Sequence, residues 1–393
     1  MTVHREVRWT ILIQGVGAVA SLTTVVLLGI MAGPSVQGEF SRLKSALELL
    51  IAIAMLGAPQ ALLYFLRLSQ ITQQQIAHIT LTTSLIGVAC ASLYALIQQQ
   101  ITPIILFLLV STTAAGTIHG VLRGAILASR SSSIFNATTI LPQILLLPAV
   151  LTAANFSDHS SAVAIFPFFV TWLLSAAIAF FFSRNIAPMR VANPISILQL
   201  VNFSGASWLT TVLMSGTPAL WLQYINTNSG NIDTGHFAMG MVGVQAVLTP
   251  INYATPLLFK HWTGRKNSSP IYHSIRYGAV VGIIMLICVG IFSAPPPPIA
   301  SEYAPLFHVA GYFAAIATLE SMIRVSYVAS IANGQPWHTV FTEFVRALCL
   351  VGILLLTSTS QLVDFAIAWM VACMCTAFAC GLITWQSSKK RTY

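Results

Sequence analysis

Twelve long apolar runs alternate with short polar stretches along the chain, over residues 9–32, 45–66, 78–97, 103–127, 134–154, 163–183, 205–225, 235–259, 277–294, 305–330, 340–358 and 365–385. An α-helix needs about 20 apolar residues to cross the hydrocarbon core of a bilayer. In lipid, one segment satisfies its own backbone N–H and C=O groups only as a helix. The pattern therefore predicts an all-α polytopic membrane protein of about 12 transmembrane helices. The first run follows Arg5 and Arg8 but is too long for a signal-peptide core and lacks a small-residue cleavage site, so it reads as a retained span.

Composition narrows the function classes. Of 393 residues, 56% are hydrophobic and 7% charged, with a mean hydropathy of +0.82. A soluble domain carries about 25% charged residues, so an ordinary cytosolic enzyme, a disordered chain and a secreted disulfide scaffold are excluded. The six cysteines, Cys90, Cys288, Cys349, Cys373, Cys375 and Cys380, all fall in apolar runs and read as small packing residues. No metal centre and no cofactor is implied. The net charge of +9 sits in loops too short and scattered for a nucleic-acid groove.

That excess is explained by the collection of Lys and Arg on the cytoplasmic side. An even number of spans puts both tails on one side. With them go Arg5, Arg8, Arg67, Arg130, Arg184, Arg190, Lys260, Arg265, Lys266, Arg276, Lys389, Lys390 and Arg391. Only Arg42 and Lys44 fall on the other side, with Glu39, Asp158, Asp233, Glu302 and Asp364. Both termini are therefore expected in the cytoplasm.

The stretch from Arg184 to Ser204, with Arg190, Pro188 and Pro194, divides six runs from six. The expected lobes are 1–190 and 191–393. They enter the membrane in the same orientation and suit parallel repeats. A trace of duplication supports this: Gly38-Glu39-Phe40 and Gly235-His236-Phe237 each open a span after a polar loop, 197 residues apart. Seven prolines inside the runs (Pro59, Pro142, Pro148, Pro167, Pro218, Pro250 and Pro256) predict kinked helices and a moving bundle. Pro295 to Pro298 predict a stiff external connector.

Ionisable side chains inside spans are costly and are functional candidates by default. Six fall there: Glu48, Arg123, Glu320, Arg324, Glu343 and Arg346, with His119 as a further titratable group. Glu320 and Arg324 lie one turn apart on one helix face, with the acid first, the better order for a pair. Glu343 and Arg346 are three apart on the next helix. The two pairs read either as a neutral structural clamp or as an ion relay with an anion contact. Glu48 follows Lys44 by one turn, as a neutralised pair or as part of a cationic lip with Arg42. Arg123 either snorkels to the headgroups or binds an anion. Phosphate-loop, HExxH, GxSxG and dinucleotide fingerprints are absent, so the chain is not expected to be an enzyme, and uphill work would draw on an ion gradient.

Three short motifs carry a resemblance. Gly38-Glu39-Phe40 followed by Leu56-Gly57-Ala58-Pro59-Gln60-Ala61-Leu62, Leu122-Arg123-Gly124 closing the fourth span, and Ser301-Glu302-Tyr303-Ala304-Pro305-Leu306 before the tenth resemble polysaccharide transporters. These are the O-antigen flippases of the multidrug/oligosaccharidyl-lipid/polysaccharide (MOP) exporter superfamily. The resemblance implies a MOP/MATE-like fold of two six-helix lobes around a central, often cationic cavity, working by alternating access. It implies a polyprenyl-diphosphate-linked oligosaccharide as substrate, carried across the bacterial inner membrane. It further implies a coupling cation, proton or sodium, membrane lipids as surroundings, and contact with polysaccharide polymerase machinery.

A diphosphate head cannot cross hydrocarbon, whereas its lipid tail never needs to leave it. Arginine suits phosphate through bidentate hydrogen bonds. On this reading Arg123, Arg324, Arg346, Arg42 and Lys44 contact the anionic substrate, and Glu320, Glu48 and Glu343 serve ion coupling. The alternative is a cation-coupled small-molecule or drug exporter of the same superfamily, which wants acids without excess arginine. A membrane-embedded polymerase or glycosyltransferase would want a large external loop, which the chain does not offer.

Overall fold

The computed structural model describes residues 3–67, 70–98, 102–129, 132–154, 161–184, 186–187, 191, 195–262, 270–292, 298–332, 335–356 and 361–389. Arg130, Asp158, Pro188, Arg190, Pro194, Arg265, Lys266, Pro295 to Pro297, Lys390 and Arg391 lie outside them. Among the described residues there are helices and no strand. The helices are α1 (Val3–Met55), α2 (Ala58–Arg67), α3 (Gln73–Gln98), α4 (Pro103–Ser129), α5 (Ser132–Ala154) and α6 (Ser161–Phe182). They continue as α7 (Ile197–Trp262), α8 (Pro270–Phe292), α9 (Ala304–Ala332), α10 (Trp337–Leu356) and α11 (Leu362–Lys389), with a 3₁₀ turn at Pro298–Tyr303 before α9. Eight described stretches are long and apolar enough to cross a bilayer, and α8 adds the shorter Tyr272–Ile287.

Two helices are far too long for one crossing. At 1.5 Å per residue, the 53 residues of α1 would reach about 80 Å and the 66 of α7 about 100 Å, against a hydrocarbon core of about 30 Å. Each is broken at one glycine: Gly33 at φ 80°, ψ 173°, and Gly230 at φ 83°, ψ −177°. Positive φ is open to glycine at no steric cost, and Pro34 then occupies a first-turn position that needs no N–H.

The contacts on either side show that the chain doubles back at both glycines. Before Gly33, Gln14 and Gly17 meet Asn136 and Gln143 of α5. After it, Ile51 and Met55 meet Gly116 and Gly120 of α4, and α4 runs antiparallel to α5. Around Gly230, Trp221 lies against Trp369 and Tyr224 against Phe365, so this half of α7 opposes α11. Beyond it, Phe237 packs on Phe313 and Asn252 reaches Arg324, so the other half runs along α9. The polar stretches that read as loops between the first and second runs, and between the seventh and eighth, are thus helical except for one residue each. With both long helices counted twice, about twelve segments cross.

The chain divides into two compact units: residues 1–24 with 39–219, and residues 25–38 with 220–393. In the first, α4 is central and packs on α3, α6 and α2, around Leu62, Ile71, Val121, Leu122 and Ile126. In the second, α9 is central and packs on α8 and α11, with α10 on α11. The plan repeats down to single contacts. In the first unit Gly87 of α3 lets Thr117 of α4 approach; in the second Gly282 of α8 does the same for Thr318 of α9. By that register Arg123 corresponds to Arg324, and His119 to Glu320.

A reciprocal contact lies inside the second unit. A Cβ on Gly38 would overlap the backbone carbonyl of Asn231, and one on Gly235 that of Pro34. The spacing from Pro34 to Asn231 equals that from Gly38 to Gly235, so the two connectors meet about a local twofold axis. The outward helix faces carry Leu81, Leu85, Leu93 and Leu96 on α3 and Ile283, Ile284, Leu286 and Ile287 on α8, all exposed. Lipid tails are the solvent that accepts such a surface.

Candidate functional site

The charged residues of α9 and α10 converge in the second unit. Helical periodicity places Glu320, Arg324 and Tyr327 on one face of α9, and Glu343 and Arg346 on one face of α10. The antiparallel packing of the two helices brings the faces together. Arg346 is the hub: its Nη1 lies 2.8 Å from Glu320 Oε1 and its Nε 3.6 Å from Glu343 Oε2. Arg324 Nε lies 3.7 Å from Glu320 Oε2. Tyr327 donates its hydroxyl to Glu343 Oε1 at 2.7 Å, and the Cys373 thiol of α11 donates to Glu320 Oε1 at 3.7 Å.

Burial makes this arrangement consequential. Glu320 is 4%, Glu343 0% and Arg346 4% exposed. Isolated charges at such depth would cost several kcal/mol each, so the pairing is what allows them to be there. Two acids and two bases leave the cluster neutral. The pairing is nevertheless incomplete in hydrogen-bond terms, since Arg346 Nε and Nη2, Arg324 Nε and Glu343 Oε2 are buried without a hydrogen-bond partner.

Arg324 links the cluster to a polar stripe. Its Nη2 donates to Gln245 Oε1 at 3.2 Å and its Nη1 to Asn252 Oδ1. Its side chain is 16% exposed, against 5% for those of Glu320 and Arg346. Gln245, Thr249 and Asn252 lie at i, i+4 and i+7 on α7, a single helix face that is exposed or half-buried. A polar, accessible face in a membrane segment suits a water-lined surface and not lipid.

The other candidates from the sequence stand apart from this cluster, in the first unit. Lys44 Nζ and Glu48 Oε1 of α1 are 3.8 Å apart, with Glu48 exposed and Arg42 half-buried on the same segment. Arg123 is exposed, with its guanidinium carbon 5.8 Å from the ring centre of Phe135. His119 is buried and its Nε2 lies 2.9 Å from the carbonyl of Thr138, to which it donates.

Three members of the network were not singled out in the sequence, and a fourth, Cys373, was read there as packing. Tyr327 carried a signal, lying three residues after Arg324 on the same face. Gln245, Asn252 and Cys373 are ordinary in isolation, and only tertiary packing reveals them. Cys375, read with Cys373 as packing, has its sulfur 3.6 Å from that of Cys349. Among the described residues, no group of three or more His, Cys, Asp or Glu side chains is placed to hold a metal ion.

No family model matches the chain, and no curated protein matches it. Solved structures do. An inward-facing multidrug resistance MATE family transporter of the MOP superfamily aligns with a TM-score of 0.67 at 14% identity, covering 96% of each chain. An outward-facing structure of a multidrug resistance MATE family transporter aligns at 0.67 and 11% identity, covering 97% of this chain and 96% of that one. A MOP superfamily transporter from Pyrococcus furiosus Vc1 (DSM3638), described as having a binding pocket of reverse polarity that suggests a different function, aligns at 0.51 and 14% identity, covering 97% and 93%. The chain has the MATE-like fold of about twelve transmembrane helices.

Proposed function

We propose that the chain is an ion-coupled flippase that carries a polyprenyl-diphosphate-linked oligosaccharide, such as an O-antigen repeat unit, across the bacterial inner membrane by alternating access. The observation that carries this reading is Arg324, the accessible end of a buried, electrically neutral network, presented beside Gln245 and Asn252 on a polar helix face. A phosphate oxygen can take the place of the Glu320 carboxylate on Arg324. Neutrality in the low-dielectric interior then requires a cation or proton on the carboxylate released. Binding of the substrate anion and binding of the coupling ion are thereby linked. In the first unit, Arg123, at the position equivalent to Arg324, is that unit's own candidate anion contact, together with Arg42 and Lys44. On this reading both termini lie in the cytoplasm, which the charge asymmetry of the loops supports.

A cation-coupled drug exporter is the second reading, favoured by the fold's likeness to multidrug resistance transporters. Against it, both buried acids of the cluster face arginine, which leaves no bare carboxylate for a cationic drug. The test uses the full chain in vesicles loaded with a fluorescent lipid-linked oligosaccharide. Arg324→Ala and Glu320→Gln should each lower transfer at least tenfold while membrane insertion stays at the wild-type level. Wild-type transfer by both variants removes the network from the mechanism. Efflux of a lipophilic cation without sugar-lipid transfer selects the exporter.

A further inference from the structure

The second unit holds one more titratable group that the transport site does not use. His236 is 4% exposed, one residue after the glycine whose backbone meets Pro34. Its Nε2 lies 2.9 Å from the backbone carbonyl of Glu302. A carbonyl only accepts, so Nε2 carries the hydrogen. Its Nδ1 lies 3.7 Å from Asp233 Oδ1 and has no hydrogen-bond partner.

We infer that His236 and Asp233 form a proton-binding site that tightens the contact between the two glycine connectors. The inference rests on the ion-coupled reading above and adds a second proton site to that at the Glu320 carboxylate of the transport network. In the neutral ring the bare Nδ1 lone pair faces a carboxylate, which is unfavourable. A proton on Nδ1 converts the same geometry into a charge-assisted pair. Imidazole is the side chain whose charge ordinarily changes in the physiological range. Asp233 sits in the first turn after Gly230, where the helix dipole favours negative charge.

The surroundings transmit the change. The His236 ring packs edge-on against Tyr303, with centroids 5.6 Å apart, and the Tyr303 hydroxyl is buried without a partner. The Glu302 carboxylate lies beside Gly33, at the break in α1. The titratable groups around the ring are thus Asp233 from α7 and Glu302 and Tyr303 from the 3₁₀ turn. From α1 come the backbones of Gly33 and Pro34, with Glu39 next after Gly38. Beyond them, α9 and α11 present Phe313 and Trp369 to the adjacent Phe237. One proton therefore ties α7, the turn before α9 and the α1 connector together. The coupling carboxylates anticipated from sequence are paired with Lys44, Arg324 or Arg346 until an anion displaces one of them.

The test is hydrogen–deuterium exchange of residues 25–38 in the full chain, in vesicles without substrate. His236→Gln and wild type are compared at the same pH, so the intrinsic exchange chemistry cancels. At pH 6 the segment should exchange several-fold more slowly in wild type than in His236→Gln, and at pH 8 the two should agree. Asp233→Asn, which keeps the imidazole, should behave like His236→Gln. A ratio between wild type and variant that is the same at both pH values overturns the site. Persistence of the pH-dependent difference in a protein that transfers no sugar-lipid upholds the proton site and removes the substrate reading. Normal transfer without that difference does the reverse.

Discussion

Arg346→Ala should be the most damaging single substitution in the network. It removes the 2.8 Å partner of Glu320 and the 3.6 Å partner of Glu343 together, leaving two buried carboxylates against one guanidinium. Breaking a buried pair by deleting one member typically costs about 3–5 kcal/mol, and this side chain serves two acids. The expected outcome is a large fall in the thermal midpoint of the detergent-solubilised protein and complete loss of transfer. Charge balance supplies the control. Arg346→Met combined with Glu343→Gln again equates acids and bases and should recover most of the thermal stability. Additive losses in that double variant would mean that geometry and not neutrality holds the cluster.

The second large effect is expected at the connectors. Gly38→Ala and Gly235→Ala each put a Cβ into a backbone carbonyl, of Asn231 and Pro34 respectively. Backbone yields less readily than a side-chain end, so each should cost about 1–3 kcal/mol, as overpacking does in well-filled cores. Because the contact is reciprocal, the two variants should resemble one another, with similar losses of transfer and similarly faster exchange in residues 25–38. Gly243→Ala, whose Cβ would meet nothing within 4 Å, should match wild type in both measurements. Unequal behaviour of Gly38→Ala and Gly235→Ala would show that the local symmetry does not extend to energetics.

Much of the fold was legible because lipid enforces a simple code. A crossing helix must be apolar for its full length, so the twelve runs announced themselves. The Gly-x-Phe pair 197 residues apart marked a duplication, whose detailed register shows in Gly87 with Thr117 and Gly282 with Thr318. The helical continuation through the expected loops was not legible. Glu39, Arg42 and Lys44 read as loop residues by polarity, whereas only the backbone freedom of Gly33 is needed to turn the chain. Periodicity anticipated the site in part: it put Glu320 with Arg324 and Glu343 with Arg346, and short connections made α9 and α10 neighbours. It could not say that Arg346 serves both acids, nor that Gln245 and Asn252 would complete the coordination of Arg324. His236 carries no such signal in the sequence, since a histidine beside a loop is usually solvated, and only the fold buries it against Glu302 and Tyr303.

The matched breaks at Gly33 and Gly230, and the mutual embrace of Gly38 and Gly235, bear on descent. Self-complementary patches of this kind are how identical subunits assemble. A forebear of about half the present length, paired with its own twin through that face, would have made the same touch twice. Fusion of the two genes would then let each copy drift alone, and the histidine that one connector carries where the other has a glutamate would mark that divergence.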